Sequence, residues 1–435
     1  MKHWPAIFLF ASMSCFAQTP DGFAVPQPGR VFEFPRDHGS HPEFRTEWWY
    51  VTGHLDAPNG ERFGFQVTFF RQAAIVKGEQ LFLAHCALLD ANGKTFLHEE
   101  RLNRQGWDAA ASTTALDVRN GNWSLRMSRR VGESLRQPLT PALSPGIAPT
   151  QSTRSSGERE PDAGAQFRLP LPGDKHRVHL GEPRGEGWGE GPLRVADADS
   201  SARPAWGGLA GDELQIMATI RNEAQLTFTL KAMKPLVFFG KDGVSRKGSS
   251  PNAASHYLTW PRLEVRGTLR TADKSHDVRG EAWMDHEFSS SQLDEGQVGW
   301  DWASMQLNDG REVMVYRIRR TDGSSDPAGT TLAWIDKSGG VRHIDATKFT
   351  WTPTRTWTSP KTKAAYPIEA RIEAEGQTFV LRPLHDAQEL GGEVSGLPYW
   401  EGACDVLDAR GAVIGRAFLE LAGYAGDLAG RLRGK

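Results

Sequence analysis

The feature that most constrains this chain is a two-residue alternation of apolar and polar side chains in short runs. Between residues 62 and 71, Phe63, Phe65, Val67 and Phe69 recur at every second position. An Asn-Gly pair, which is typical of tight hairpin turns, precedes this run, and another follows the next strand-like segment. Because successive side chains of a strand point to opposite faces, the pattern predicts antiparallel strands. We find no convincing amphipathic helix in this half of the chain, so the sequence predicts an all-β protein.

The strand-like segments fall into two groups. A loop rich in Gly, Ser and Lys at 240–255 separates the segments of residues 30–240 from those of residues 250–430. Short turns join the later segments, a spacing that favours a closed up-and-down barrel. Trp48–Leu55 and Trp300–Leu307 each lead through a glycine turn into an apolar strand, as a duplication would produce. We therefore predict two tandem antiparallel β-barrels.

A segment of different composition interrupts the first group. Residues 138–204 are rich in Pro, Gly, Ser, Arg and Glu and show little apolar periodicity. Such a segment cannot bury enough apolar surface to fold alone, so we predict a disordered insertion. The strand at 122–127 then resumes its sheet near 212–230. The insertion is either a solvated spacer or a flexible arm that binds a partner.

The start of the chain is similar to a secretory signal. Met1 to His3 precede an apolar run from Trp4 to Ala17, which gives a charged start, a short hydrophobic middle and a small-residue end. We expect cleavage after Ala17 and a periplasmic or secreted protein; a lipoprotein site at Cys15 is the alternative. No later apolar stretch reaches the roughly 20 residues of a transmembrane helix, so no membrane span is predicted.

Composition and motifs remove several classes of function. The 51 Lys plus Arg balance 53 Asp plus Glu, so the net charge gives no reason to expect a nucleic-acid partner. Gly-x-Ser-x-Gly, His-Glu-x-x-His, P-loop and dinucleotide-binding motifs are missing, and no cofactor is expected. Cys86 and Cys404 remain after the expected cleavage. They either pair or are buried separately as small hydrophobic residues.

The densest candidate for chemistry is the run from Glu281 to Phe288. Alternation places Trp283, Asp285 and Glu287 on one face of a strand, with His286 between them. Desolvation raises the pKa of a carboxyl group in an apolar barrel, so it could donate a proton at neutral pH. An adjacent indole could stabilise a carbocation. These four residues are the candidate catalytic set; the structural alternative is an acidic pair bound to Arg or backbone at a barrel rim.

Aromatic and polar side chains also alternate between Glu47 and Asp56. Trp48, Tyr50 and His54 share one face, which suits a pocket for a long apolar molecule with one polar end. The same indoles could instead fill a barrel core, and the pattern leaves both alternatives open. The candidate ligand-binding residues are Trp48, Tyr50, His54, Gln66, Trp300, Trp302 and Tyr316.

The run from Asp37 to His41 contains two imidazoles and a carboxylate. A zinc ion held there would need further ligands from residues 285–287. Loop closure through hydrogen bonds is the favoured interpretation, and no metal ion is predicted.

Six runs stand in a recognisable order: Phe34–Tyr50, Phe82–His85, Trp283–Glu287, Gly299–Trp302, Tyr399–Gly402 and Gly423–Tyr424. Together they resemble the AttH-like proteins, often labelled predicted secreted hydrolases and related to carotenoid 1,2-hydratases. The resemblance implies two tandem lipocalin-like barrels and, through the AttH-like name, an envelope ABC transporter as partner. In the hydratase branch, acidic residues beside aromatic ones protonate an alkene, which implies that role for Asp285. Glu287 stands where that branch typically has Asn.

Three functions remain as hypotheses. The first is an exported carrier that binds a hydrophobic ligand, a lipid or an isoprenoid. The second is a hydratase in which Asp285 donates a proton, His286 orients it, and Trp283, Trp300 or Trp302 shields the cation. The third is a structural envelope protein whose barrels are filled by side chains.

Overall fold

The computed structural model describes residues 17–74, 78–128, 212–272 and 274–432. Within these ranges the chain forms two antiparallel β-sheets, a short α-helix, α1 (Leu428–Leu432), and two single-turn 3-10 helices at Arg36–His38 and Ala346–Lys348. The prediction of an all-β protein with two lipocalin-like barrels is confirmed.

The first sheet is a nearly closed barrel. Its strands are β1 (Thr46–Asp56), β2 (Arg62–Ala73), β3 (Gln80–Asp90), β4 (Thr95–Arg104), β5 (Ala109–Ala111), β6 (Asp117–Asn120), β7 (Trp123–Met127), β8 (Glu213–Ile220), β9 (Ala224–Ala232), β10 (Val237–Phe238), β11 (Val244–Arg246), β12 (Ala254–Thr271) and β13 (Ser275–Ser291). They follow the order β4-β3-β2-β1-β13-β12-β9-β8-β7-β6-β5, and β10 and β11 also pair with β12.

The second sheet is a half-barrel. Its strands are β14 (Gln297–Leu307), β15 (Glu312–Arg320), β16 (Thr331–Ile335), β17 (Val341–Asp345), β18 (Phe349–Thr358), β19 (Ala365–Ala374), β20 (Gln377–Pro383), β21 (Glu389–Leu390), β22 (Tyr399–Leu407) and β23 (Val413–Ala422). They follow the order β17-β16-β15-β14-β23-β22-β20-β19-β18, and β21 pairs with β22.

Each sheet encloses its own apolar core. In the first sheet Trp49, Val51 and Phe65 point into the core, and in the second Met305 and Leu419 do so. Burial of one such large apolar side chain contributes about 1.5–3 kcal/mol. The core faces are therefore occupied mainly by apolar packing, and the mixed polar and aromatic face predicted for a pocket is the opposite one.

The faces that point away from the two cores pack against each other. Tyr50 and Trp283 of the first sheet belong to one apolar cluster with Trp302 and Tyr316 of the second. The ring of Trp302 lies 5.3 Å from that of Tyr50 and 6.1 Å from that of Trp283, both close to edge-on. Edge-to-face contacts of this kind are the favoured arrangement of aromatic rings. The contact between the sheets is thus aromatic and buried.

A buried ionic group also joins the two sheets. Lys234 Nζ donates to Glu312 Oε2 at 2.5 Å, and Arg262 Nε donates to Glu312 Oε1 at 2.7 Å. Glu312 lies on β15, Arg262 lies on β12, and the Glu312 carboxylate is fully buried. Because a buried charge without a partner is strongly destabilising, these three residues depend on one another.

The interrupted strand resumes as predicted, since β7 pairs with β8 and Ser124 lies opposite Met217. The predicted insertion at 138–204 and residues 1–16 of the predicted signal lie outside the described residues. Cys86 and Cys404 are both buried and free. Among the described residues, no helix is long and apolar enough to cross a membrane.

The boundary between the two sheets lies later in the chain than the predicted domain boundary at 240–255. The change of sheet falls between Ser291 and Gln297, because β12 and β13 continue the first sheet and close it against β1. Strands β17 and β18 are among those that apolar alternation does not predict. Thr, Arg and Pro interrupt the apolar alternation of β18, which has mostly exposed side chains.

Candidate functional site

Strand β13 carries the candidate catalytic residues, and its alternation separates them. Trp283 points into the cluster between the sheets, whereas Met284 and Phe288 point into the first core. We call the polar and aromatic region around Asp285 the inter-sheet site. It is formed by Tyr50, Tyr257, Thr259, Trp283, Asp285, Glu287, Trp302, Tyr316, Glu401 and Glu420.

Three side chains hold the Asp285 carboxyl group. Thr259 Oγ1 and Trp283 Nε1 donate to Oδ1 at 2.6 and 2.7 Å, and Tyr257 Oη donates to Oδ2 at 2.7 Å. Trp302 Nε1 of the second sheet in turn donates to Tyr257 Oη at 2.9 Å. The acid is therefore positioned from both sheets.

The protonation of Asp285 is unusual. Its pKa is raised to about 7, first because burial removes the carboxyl group from water, and also because Glu287 places a negative charge nearby. The hydrogen bonds from Thr259, Tyr257 and Trp283 oppose this shift. A carboxyl group with such a pKa can both give and take a proton near neutral pH, as general acid catalysis requires.

Lys247 contributes a positive charge to the same region. Its Nζ lies 2.7 Å from Glu287 Oε1, and both side chains are almost fully buried. The ammonium group also lies 4.0 Å from the ring centre of Tyr316 and 4.8 Å from that of Tyr257. A cation over aromatic faces and beside a carboxylate is stabilised by both. Lys247 therefore balances Glu287.

Two further carboxyl groups come from neighbouring strands of the second sheet. Glu401 on β22 lies opposite Glu420 on β23. Tyr50 Oη donates to Glu401 Oε1 at 2.7 Å, and Trp300 Nε1 donates to Glu420 Oε1 at 3.1 Å. Burial first, and then the neighbouring negative charges, raise the pKa of Glu420 to about 8 and that of Glu401 well above its usual range. Glu420 therefore favours the neutral acid near pH 7, and the pKa of Glu401 is shifted in the same direction.

Tyr399 connects β22 to the first sheet. Gln66 Nε2 donates to Tyr399 Oη at 2.8 Å, and His85 Nδ1 lies 2.8 Å from the same oxygen. Burial lowers the pKa of His85 to about 4, so its imidazole is neutral at pH 7. The amide and imidazole thus extend the polar lining beyond the carboxyl groups.

His54 borders a small cavity between the sheets. The cavity has a volume of about 10 Å³, close to the room that one water molecule needs, and its walls include Thr52, Trp283 and Phe418. His54 Nε2 lies 2.9 Å from the Ala417 carbonyl oxygen, and burial lowers the pKa of His54 to about 4. The predicted ligand residue is thus a neutral side chain bound to backbone.

Several buried polar atoms here have no hydrogen-bond partner among the described residues. They include Thr52 Oγ1, His54 Nδ1, Gln66 Oε1, His85 Nε2 and Glu401 Oε2. A buried polar atom left unpaired costs about 1–3 kcal/mol. Their concentration between the sheets marks a place where water or a ligand would complete the bonding.

The opposite face of β13 carries a second polar group, which we call the acid–histidine cluster. It consists of Asp37, His41, Glu47, Arg71 and His286. The nitrogens His41 Nδ1 and His286 Nε2 lie 2.8 and 2.9 Å from Glu47 Oε1. His41 Nε2 lies 2.9 Å from Asp37 Oδ1, and Arg71 Nε donates to Glu47 Oε2 at 2.9 Å. The two His-containing runs of the sequence therefore meet.

The ligand atoms of His41, Glu47 and His286 lie within 4.8 Å of one another, as a metal site would require. Burial would lower the pKa of His41, but the carboxylates of Asp37 and Glu47 raise it, so a protonated imidazole fits between them. Arg71 supplies a second positive charge to Glu47. Hydrogen bonds and ion pairs thus connect the five side chains, and His286 Nδ1 has no hydrogen-bond partner among the described residues. Loop closure without a metal ion stays a prediction.

The structure brings most predicted site residues to one face. The space between the sheets contains three side chains from one face of β13, those of Trp283, Asp285 and Glu287. It also contains the aromatic side chains of Tyr50, Trp302 and Tyr316. Trp48 and Trp300 pack there while partly exposed. His286 is the exception, because it contacts Glu47 on the core face rather than Asp285. Its predicted orienting role is therefore not supported by this geometry.

Sequence reasoning missed several members of the inter-sheet site and two residues that contact it, Lys247 and Tyr399. They are Tyr257, Thr259, Lys247, Tyr399, Glu401 and Glu420. Tyr257 and Thr259 are two positions apart on β12, so their shared face follows from strand alternation. Lys247 lies in the predicted loop, and no local pattern connects it with Glu287.

The AttH-like family model matches residues 25–142 and 174–424. A crystal structure of an AttH protein from Nitrosomonas europaea is 30% identical, with a TM-score of 0.69 over 93% of this chain and 100% of that one. The crystal structure of kievitone hydratase from Nectria haematococca shares the fold at 12% identity, with a TM-score of 0.58 over 94% of this chain and 99% of that one.

Curated relatives match over a shorter range. Ceramide-binding protein svf1 of Aspergillus fumigatus is 24% identical over 108 residues, which is 24% of this chain and 27% of the relative. The protein of the same name from Emericella nidulans is 21% identical over 108 residues, 24% of this chain and 28% of the relative. The match thus spans about a quarter of the length of these relatives.

Proposed function

Since this chain belongs to the AttH-like family, we propose that it binds a hydrophobic molecule, a lipid or an isoprenoid, with the polar end in the inter-sheet site. The observation that carries the proposal is the group of unpartnered buried polar atoms among aromatic side chains of both sheets. Apolar surroundings with a few convergent polar groups are typical of small-molecule sites. The ceramide-binding name of two relatives supports a lipid as ligand.

Native mass spectrometry with organic extraction tests this proposal on the purified protein. A co-purifying lipid or isoprenoid is the expected result, and titration with a fatty alcohol should quench tryptophan fluorescence. Trp302→Phe removes the N–H that reaches Tyr257 and should weaken binding, whereas Trp107→Phe changes a side chain that is 93% exposed and should not. An empty protein that no lipid probe affects would favour the structural hypothesis with filled barrels.

A second candidate is acid-catalysed hydration of an isoprenoid double bond. Asp285 favours it, because its carboxyl group is buried beside Trp283 and has a pKa near 7. The Asp285 proton would form a C–H bond with one alkene carbon and leave a carbocation on the other. Water would add to the cation, and the proton released from that water would return to the carboxylate. The indoles of Trp283 and Trp302 would stabilise the cation.

The two candidates differ in what Asp285→Asn does. For a hydratase, the variant loses turnover of an isoprenoid alkene while it still binds the ligand. For a carrier, neither protein turns the alkene over. Asp277→Asn changes an exposed carboxylate on the same strand and should behave as wild type in both assays. Turnover by Asp285→Asn at the wild-type rate would exclude Asp285 as the proton donor.

Export and an ABC transporter partner belong to the same proposal. A carrier of a hydrophobic molecule in the periplasm would receive it from, or deliver it to, an envelope transporter. Cell fractionation with a C-terminal tag tests export, with the expected cut after Ala17 read from the mass of the purified protein. Co-purification from cross-linked membranes tests the partner; recovery of the full-length chain from the cytoplasm alone would refute both.

A further inference from the structure

We propose that the inter-sheet site accepts a head group that donates hydrogen bonds and carries no negative charge, such as a hydroxyl or an amide, and excludes carboxylate and phosphate heads. This inference rests on the proposed function, because it specifies the polar end of the ligand bound there. It goes beyond the lipid or isoprenoid class, because it states which head group the site binds when the hydrocarbon chain is the same.

The arrangement of the carboxyl groups is the first argument. Asp285 lies opposite Tyr50 in the register of β13 and β1, and Tyr50 Oη donates to Glu401. Glu401 lies opposite Glu420, and Glu420 lies opposite Trp302, whose indole N–H bonds the tyrosine that holds Asp285. These strand pairings and hydrogen bonds therefore form a closed ring that begins and ends at Asp285. A head group between the sheets therefore meets acidic side chains from both of them.

The acidic character of the side chains around the head group is the second argument. Four acidic side chains, including Glu287, meet at the site, and the cation in contact with them among the described residues is Lys247, 2.7 Å from Glu287. Like charges repel strongly where water is excluded, because little dielectric screening remains. Burial and mutual repulsion raise the pKa of Asp285 to about 7 and that of Glu420 to about 8, so these surroundings already disfavour negative charge on their own acids. They disfavour an anionic head group for the same reason, whereas a neutral head group carries no such penalty.

The free hydrogen-bonding atoms are the third argument. Glu401 Oε2 and Gln66 Oε1 are unpartnered, and each side chain is only 1% exposed. Gln66 Oε1 accepts hydrogen bonds, and Glu401 Oε2 accepts them as well or donates when the acid is protonated. Tyr399 connects the two side chains, since it precedes Glu401 by two positions on β22 and accepts from Gln66 Nε2. A hydroxyl or amide N–H can donate to such oxygens, whereas an ionised carboxylate or phosphate cannot.

A matched pair of ligands tests the inference. A long-chain fatty alcohol and the fatty acid of the same chain length are titrated at pH 8 into the full-length mature protein, with tryptophan fluorescence as readout. We expect the alcohol to bind at least about tenfold more tightly. Glu401→Gln and Glu420→Gln each remove one acidic group and should narrow this ratio. Glu373→Gln changes an exposed glutamate on β19 and should leave the ratio unchanged.

The outcomes separate this inference from the proposed function. Equal binding of alcohol and carboxylate, or tighter binding of the carboxylate, would overturn the inference while leaving a lipid-binding protein. Binding of neither ligand would overturn the proposed function and the inference with it. If one glutamine variant fails to fold, as judged by circular dichroism, the wild-type ratio and the other variant still decide the result.

Discussion

Replacement of Asp285 by Asn tests the unusual protonation of the candidate acid. The asparagine keeps an oxygen that can accept the hydrogen bonds of Thr259 and Trp283, and its amide replaces the oxygen that faces Tyr257. A protonated aspartic acid presents the same arrangement of one oxygen and one donor. The variant therefore imitates the neutral wild-type side chain at every pH.

The size of the effect follows from the two pKa values of Asp285, about 7 in the folded protein and 3.8 as the ordinary value. A carboxyl group whose pKa is raised by folding holds its proton more tightly in the folded state. The free energy of unfolding therefore falls as the pH rises from 3.8 to 7 and stays level above 7. The total loss is about 4 kcal/mol in the wild type and is absent from Asp285→Asn.

Urea denaturation followed by tryptophan fluorescence between pH 5 and pH 9 measures this difference. Relative to wild type, Asp285→Asn should gain about 2–3 kcal/mol of unfolding free energy between pH 5 and pH 7, and little between pH 8 and pH 9. The other titrating groups are common to both proteins, so their contributions largely cancel. Asp277→Asn, an exposed change on β13, should show no such pH dependence.

A stability difference that does not vary with pH would refute the reasoning. It would mean that Asp285 titrates as an ordinary carboxyl group despite its burial. The role of proton donor near neutral pH would then lose its physical basis.

Three further predictions concern stability. Glu312→Gln should lower the unfolding free energy by about 3–5 kcal/mol in urea titrations, because it removes the anionic partner of buried Lys234 and leaves Arg262 with only its ion pair to Glu281; Glu375→Gln, in an exposed ion pair, should have little effect. Prolonged treatment with a chelator should leave the melting temperature unchanged, since His41 and Arg71 bond the two carboxylate oxygens of Glu47; a lower melting temperature would reveal a bound metal. Reducing agent should also have no effect, because Cys86 and Cys404 are free, and a destabilised reduced protein would contradict this.

The fold could be predicted because its signal is local. Phe63, Phe65 and Val67 alternate with polar residues, and this period fixes a strand with one buried face wherever it occurs. The same argument recovered β7 and β8 as partners across the insertion. The argument failed for β18 because few of its side chains are buried. Backbone pairing with β19 holds this strand in the sheet instead.

The site was predictable only in part, for a related reason. Alternation correctly grouped Trp283, Asp285 and Glu287 and separated them from His286. It could not say which face lies inside a barrel, because both faces of β13 are buried. The sequence suggested a pocket within one barrel, whereas the polar residues meet outside both cores.

The sequence by itself determined most of the strands, the two barrels and the parity of the side chains on those strands, since these depend on residues a few positions apart. Tertiary structure alone decided that Asp285 meets Tyr257, that Lys247 balances Glu287, and that Glu401 faces Glu420. These contacts join residues on different strands, and two sheets must pack before they form. The raised pKa of Asp285 has the same origin, because water is removed from the carboxyl group only when both sheets enclose it.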